Sequence, residues 1–175
     1  MKKLYTLLAL TISFSMNAQM SDNSSGTSAT GNYSVAMGSS TTASGNYSTA
    51  MGQNTTASGN YSTALGVSTT ASGGSSTAMG VGTSASGNRS TAMGSGTIAS
   101  GNYSTAMGED STASGQASTA IGYGSVASDF ASTVIGQYNS SGSSATSAGS
   151  FSTSNTAFVI GNGADSSNKS DAFKV

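Results

Sequence analysis

The sequence contains no cysteine, proline, histidine or tryptophan. Without cysteine there is no disulfide framework. Without histidine or cysteine, a nucleophilic serine has no imidazole base within reach and there is no thiol nucleophile. Charge is also scarce: charged residues make up 6% of the chain, against about 25% in typical globular domains. Five Lys and Arg stand against six Asp and Glu, a net charge of −1. A nucleic-acid binder needs a basic patch or stripe, and this composition supplies none. Of the carboxylates, only Glu109 and Asp110 are adjacent, at a variable loop position where a solvated charge is expected. No catalytic residue, metal site or cofactor is assigned. Gly161-Asn-Gly-Ala-Asp165 could hold calcium, but the nine-residue calcium repeat is absent.

Residues 1–18 read as a signal peptide. Lys2 and Lys3 form its positive end, Leu4 to Phe14 its apolar run, and Ala18 the residue before cleavage. A run of about a dozen residues is too short to span a bilayer, which takes about 20. No second apolar stretch follows, so no membrane span is expected in the mature chain. Export leaves Arg89, Lys169 and Lys174 against six carboxylates, a mildly acidic product.

What dominates the chain is a fourteen-residue unit, repeated eight times over 31–142 without insertion or deletion. It is written at 45–58 as G-N-Y-S-T-A-M-G-Q-N-T-T-A-S. The Ser column, Ser34 through Ser132, and the second Gly column, Gly38 through Gly136, are constant along the chain. One large apolar column reads Met37, Met51, Leu65, Met79, Met93, Met107, Ile121, Ile135; two residues earlier stand Val35 and then Thr in every unit. A single short unit cannot bury its own apolar side chains, but a stacked array can.

Tyr-Ser-Thr-Ala-Met reads as one strand and Thr-Thr-Ala-Ser as a second, with glycine corners between them. Stacked coils at about 4.8 Å would make a rod about 38 Å long. A helix is excluded by glycines every six to eight residues, each costing about 1 kcal/mol in a helix interior. A disordered linker would not keep this phasing. The expected fold is therefore all-β, a parallel β-roll or solenoid. Thr and Met share a parity, so both columns are expected to point inward, with Val35, Met37, Met51, Leu65, Met79, Met93, Met107, Ile121 and Ile135 as structural core. One buried Met returns only about 1.5–3 kcal/mol, against about 1.5 kcal/mol for each ordered residue. A lone coil is then marginal, and the small Ser/Ala face is expected to admit further copies of the chain.

The ends depart from the unit. Residues 19–30 read as an N-terminal capping or fraying segment and 143–175 as an irregular closing segment that stops mid-pattern, as a truncated chain would.

At the level of Ser-Gly-Asn-Tyr-Ser-Thr-Ala-Met-Gly, the chain resembles the head repeats of trimeric autotransporter adhesins, the YadA-like head, whose typical unit is S-G-x-N-S-V-A-I-G. The resemblance covers about 24–161. It implies a left-handed roll, three chains per head, and a place on the bacterial surface or a secreted fibre, with the unit's Val and Ile turned into the roll. The family's Asn corner is here Tyr33, Tyr47, Tyr61 and Tyr103, with Ser75, Arg89, Ala117 and Ala131 in the other units. The tail from Phe158 to Val175 resembles the segment closing such heads in exported proteins of Bacteroidetes-type bacteria. The family's coiled-coil stalk and membrane β-barrel are missing from these residues, so anchoring is expected to come from elsewhere.

Function is accordingly expected to be adhesion: a surface or secreted fibre head presenting a repetitive polar surface to matrix protein, cell surface or glycan. Tyr33, Tyr47, Tyr61, Arg89 and Tyr103 are the expected ligand-binding residues, since surface aromatics favour interfaces. The alternatives are a purely structural or phage-tail-like fibre segment and an ice-binding solenoid. The inward Thr column argues against ice binding.

Overall fold

A computed structural model describes the backbone of Met20 and Ser21 and residues 26–175. The signal-peptide assignment lies outside the described residues. After β1 (Met20–Ser21), long and short strands alternate. The short ones are β2 (Ser28–Ala29), β4 (Thr42–Ala43), β6 (Thr56–Ala57), β8 (Thr70–Ala71), β10 (Ser84–Ala85), β12 (Ile98–Ala99), β14 (Thr112–Ala113) and β16 (Val126–Ala127). The long ones are β3 (Val35–Ser39), β5 (Thr49–Gln53), β7 (Thr63–Val67), β9 (Thr77–Val81), β11 (Thr91–Ser95), β13 (Thr105–Glu109), β15 (Thr119–Tyr123) and β17 (Thr133–Gln137). Each pairs in parallel with its counterpart fourteen residues on, Thr91 with Thr105 and Met93 with Met107. The result is two sheets, one of 11 strands and one of 8, wound as a solenoid with no helix among the described residues.

Two corners turn each coil. One is the Tyr47 position, where φ is 57°, and the other the Asn54 position, where φ is 53°. Both are left-handed conformations that a short polar residue or glycine tolerates best. The constant glycine of the unit stands elsewhere, inside the long strand. At Gly66 φ is +126°, and an added Cβ would fall on the carbonyl oxygen of Gly80 in the next coil. The long strand therefore begins two residues later than the sequence suggests and runs through its glycine.

The interior corrects the expected core. Val35, Met51, Leu65, Met79, Met93, Met107 and Ile135 are half-buried, while Met37 and Ile121 are 40% and 37% exposed. The chain's own core consists of the alternate parity: Ala36 and Ala43 and their equivalents through Ala127, joined at one end by Val134 and Val159, all fully buried. Ser34, Thr41 and their equivalents line the same interior. The reason is spatial. Two strands five and two residues long, closed by tight corners, lie too near each other to admit a methionine between them. Alanine, serine and threonine fit, and the larger residue of each pair is turned out. The Thr column that begins at Thr49 goes outward with it and is half-buried.

The last coil is closed by side chains. Asn139 stands where the earlier coils have a buried Thr or Ser, and it caps the short-strand sheet. Its Oδ1 accepts the Val126 N–H at 2.7 Å and its Nδ2 donates to the Val126 carbonyl at 2.8 Å, imitating the missing next strand. Asp129 replaces the first Gly of the unit and is fully buried. It accepts backbone N–H groups from Thr146, Ser147 and Thr156. β18 (Phe158–Asn162) then adds in parallel to β17, and β19 (Asp171–Lys174) adds antiparallel to β18. Asp171 ties this closing strand back by accepting the N–H groups of Ser140 and Ser141.

Candidate binding surface

The five residues expected to bind ligand lie along one edge of the rod, because all occupy the same left-handed corner of their coils. Tyr33 and Tyr47 stack at 5.0 Å between ring centroids, and Tyr47 and Tyr61 at 5.1 Å with planes 3° apart. That spacing is set by the parallel strand separation, so the ladder follows from repeating one corner residue at constant register. The stack stops at Ser75. It resumes in the next coil as a different pair: Arg89 Nη1 donates to the Tyr103 hydroxyl at 2.8 Å, and the guanidinium carbon lies 5.4 Å from that ring. Ala117 and Ala131 end the series.

A second ladder runs beside the first. The Oδ1 of Asn46 accepts the N–H of Asn32, Asn60 serves Asn46, Asn88 serves Gly74 and Asn102 serves Asn88, at 3.0 to 3.1 Å. These asparagines were not singled out from the sequence, although Asn recurs beside nearly every corner aromatic. Where it is replaced by Gly74, next to Ser75, the edge carries a notch of about 260 Å³ lined by Gly74, Ser75, Asn88, Arg89, Asn102 and Tyr103.

The other exposed surfaces are the outward faces of the two sheets. The long-strand face presents the Thr column and the Met37-to-Ile135 column in register. The short-strand face presents Thr42, Thr56 and Thr70, with exposed Ser44, Ser58 and Ser72 beside them. Glu109 and Asp110 are exposed at the second corner. The Asp165 carboxylate accepts the N–H groups of Ser167 and Asn168 and the Asn168 amide, which hold it below the usual carboxylate range.

A chain of fourteen-residue coils in unbroken register, with its variable side chains displayed along edges and faces, is a parallel β-solenoid with a repeated surface. The YadA head domain repeat (2 copies) model matches it at 25–41, 29–55, 43–69, 57–80, 71–97, 99–125 and 113–139, and the chain belongs to this family. Heads of this family are trimeric, non-catalytic adhesin modules of the outer-membrane surface. No curated protein matches the chain. Among the described residues no helix is long and apolar enough to cross a membrane.

Proposed function

We propose that this chain is the exported head of a cell-surface adhesin, assembled as a homotrimer. The Thr/Met face joins the subunits, and the corner edge meets matrix protein, cell surface or glycan. The observation that carries this reading is the stripe from Met37 to Ile135, an unbroken aliphatic column left partly exposed on a chain whose own core is almost entirely alanine. A contiguous apolar stripe on a soluble rod marks an interaction surface, and a core this thin gives little hydrophobic stabilisation by itself. Sedimentation of residues 19–175 should give a trimer. A folded monomer would overturn the assembly, and a trimer that adheres to no matrix protein or cell surface would overturn the adhesive role.

The outward turn of the Thr column supports a second reading. Seven consecutive threonines, from Thr49 to Thr133, stand in register on one face, a regular hydroxyl array of the kind that could match an ice lattice. The two readings compete for one face, since a trimer interface covers what ice would have to touch. Thermal hysteresis together with a monomeric state would favour ice binding over the adhesin head.

A further inference from the structure

The notch at Ser75 interrupts both ladders of the corner edge, and its lining has an unequal supply of donors and acceptors. The amide oxygens and the carbonyls along the ladder are occupied. Asn88 Oδ1 accepts the Gly74 N–H and Asn102 Oδ1 accepts the Asn88 N–H. The backbone carbonyls of Asn60, Gly74 and Asn88 accept the N–H groups of Ser75, Arg89 and Tyr103. The donors are in excess. Each asparagine keeps its amide NH₂, and Arg89 keeps every guanidinium N–H except the one on Tyr103. No carboxylate lines the notch. A lining rich in donors and carrying one permanent positive charge suits an acceptor-rich anion.

Tyr103 is the aromatic residue of the lining and is covered by Arg89 at 5.4 Å; a second ring, Tyr61, stands one coil before Ser75, outside the lining itself. Tyr61 is the last ring of the stack, and the face turned away from Tyr47 has no ring above it, because the next coil carries Ser75. At 63% exposure it is the most open of the three stacked tyrosines. Arg89 leans the other way, toward Tyr103, so the gap between Tyr61 and Arg89 lacks one rung of the ladder. The volume suits a single ring.

We propose that this notch binds one residue of an anionic saccharide, a sugar ring bearing a carboxylate or a sulfate. The ring fills the space over Ser75 left by the missing rung, on the side of Tyr61 that carries no stacked ring, and its anionic group is held by Arg89 and the amides of Asn88 and Asn102. The proposal rests on the adhesin reading and names the ligand class for one point on the edge. The chain's one arginine stands in the coil directly after Gly74 and Ser75, which brings the open space and the positive charge together at this point.

The test is titration of the purified full chain with three oligosaccharides of equal length: sulfated glycosaminoglycan, oligogalacturonate and a neutral glucan. One or both anionic probes should bind about tenfold or more tightly than the neutral one, and which one binds identifies the group as carboxylate or sulfate. Arg89→Ser should lower anionic binding by about tenfold or more. Ser75→Tyr should abolish it by restoring the missing rung. Both variants should fold, since serine and tyrosine already occupy this corner in other coils. Equal binding of the neutral glucan, or of a polyglutamate peptide, would overturn the proposal, as would unchanged affinity in Arg89→Ser. Adhesion to a glycan-free matrix protein is measured in parallel. Adhesion without saccharide binding overturns the notch alone, and saccharide binding without adhesion overturns the adhesive role alone.

Discussion

Inside the roll the hydroxyl of Thr69 has no hydrogen-bond partner in the protein, and neither have those of Thr41, Thr55, Thr83 and Thr97. The Ser column repeats this from Ser48 to Ser118, whereas Ser34 and Ser132, in the first and last coils, donate to the carbonyls of Gly31 and Asp129. Where the Thr column changes to serine, Ser111 and Ser125 approach each other at 2.9 Å and satisfy one another. An unpaired buried hydroxyl costs about 1–3 kcal/mol. Thr69→Val, which keeps the shape and removes the orphan, should therefore raise the stability of the assembled head by about 1 kcal/mol. Thermal melting against wild type checks this, and a lower midpoint would show that the hydroxyl is satisfied in solution. The same columns explain the misplaced core. Ranking by hydrophobicity puts Met51 inside and Ala50 outside, and the structure does the opposite. The signal was present in the constancy of the Ser and Ala columns along the chain, since a packed position tolerates fewer residue types than an open one. The apolar column varied among Met, Leu and Ile, as a looser position can.

At the level of the coil, two devices hold the architecture: the strand glycine and the terminal cap. Gly66→Ala combines an unfavourable φ with a Cβ placed on the Gly80 carbonyl oxygen, so it should part β7 from β9 and lower stability by several kcal/mol, on the order of the largest single-site effects. Loss of the β signal or a steep fall in the melting midpoint would show it, and a near-neutral result would mean the coils are spaced more loosely. The cap depends on pH. Burial pushes the Asp129 carboxyl up, but the N–H donors of Thr156, Thr146 and Ser147 outweigh it and leave it below the usual range; burial and the Ser141 and Ser140 donors act alike on Asp171. A carboxylate depressed in the folded state stabilises fully above its unfolded value, about 3.9, and that contribution is lost as pH falls through the folded value. Hydrogen exchange at Thr146, Ser147 and Thr156 should therefore accelerate below about pH 4 while the central coils stay protected. Asp129→Asn should expose the same amides to exchange at neutral pH. Neither acidic residue could be recognised as a cap from the sequence, because their partners lie 17 to 31 residues away, where the repeat loosens and ends. Only the replacement of Gly by Asp129, in a column otherwise occupied by glycine, hinted at it.

For the whole molecule, the period, the two strands per coil and the family were all legible, because backbone register depends on spacing and the spacing never varies. The direction in which each side chain points was not, because a period-two strand is symmetric until the width of the roll is known. Turning the Met column outward takes it out of the chain's own core and, in the proposed trimer, places it between chains. Met79→Asp, placed mid-stripe, should therefore dissociate the trimer while leaving each monomer's alanine core in place. Sedimentation should show smaller species, with β circular dichroism reduced only as far as the thin core fails alone; an intact trimer would remove the Thr/Met face from the interface. The glycine-to-carbonyl stacking from Gly38 to Gly136 has a further consequence, for how such a rod can change. Loss of one residue would reverse the facing of every side chain beyond it, whereas loss of 59–72 joins Ser58 to Gly73 with every column preserved. That deletion should give a folded head shorter by about 4.8 Å, while removal of 59–71 should give none. The rod is thus graduated like a ruler. Its length can change only in whole divisions, and each division carries its own corner residue, so length and the pattern displayed along the edge are inherited together.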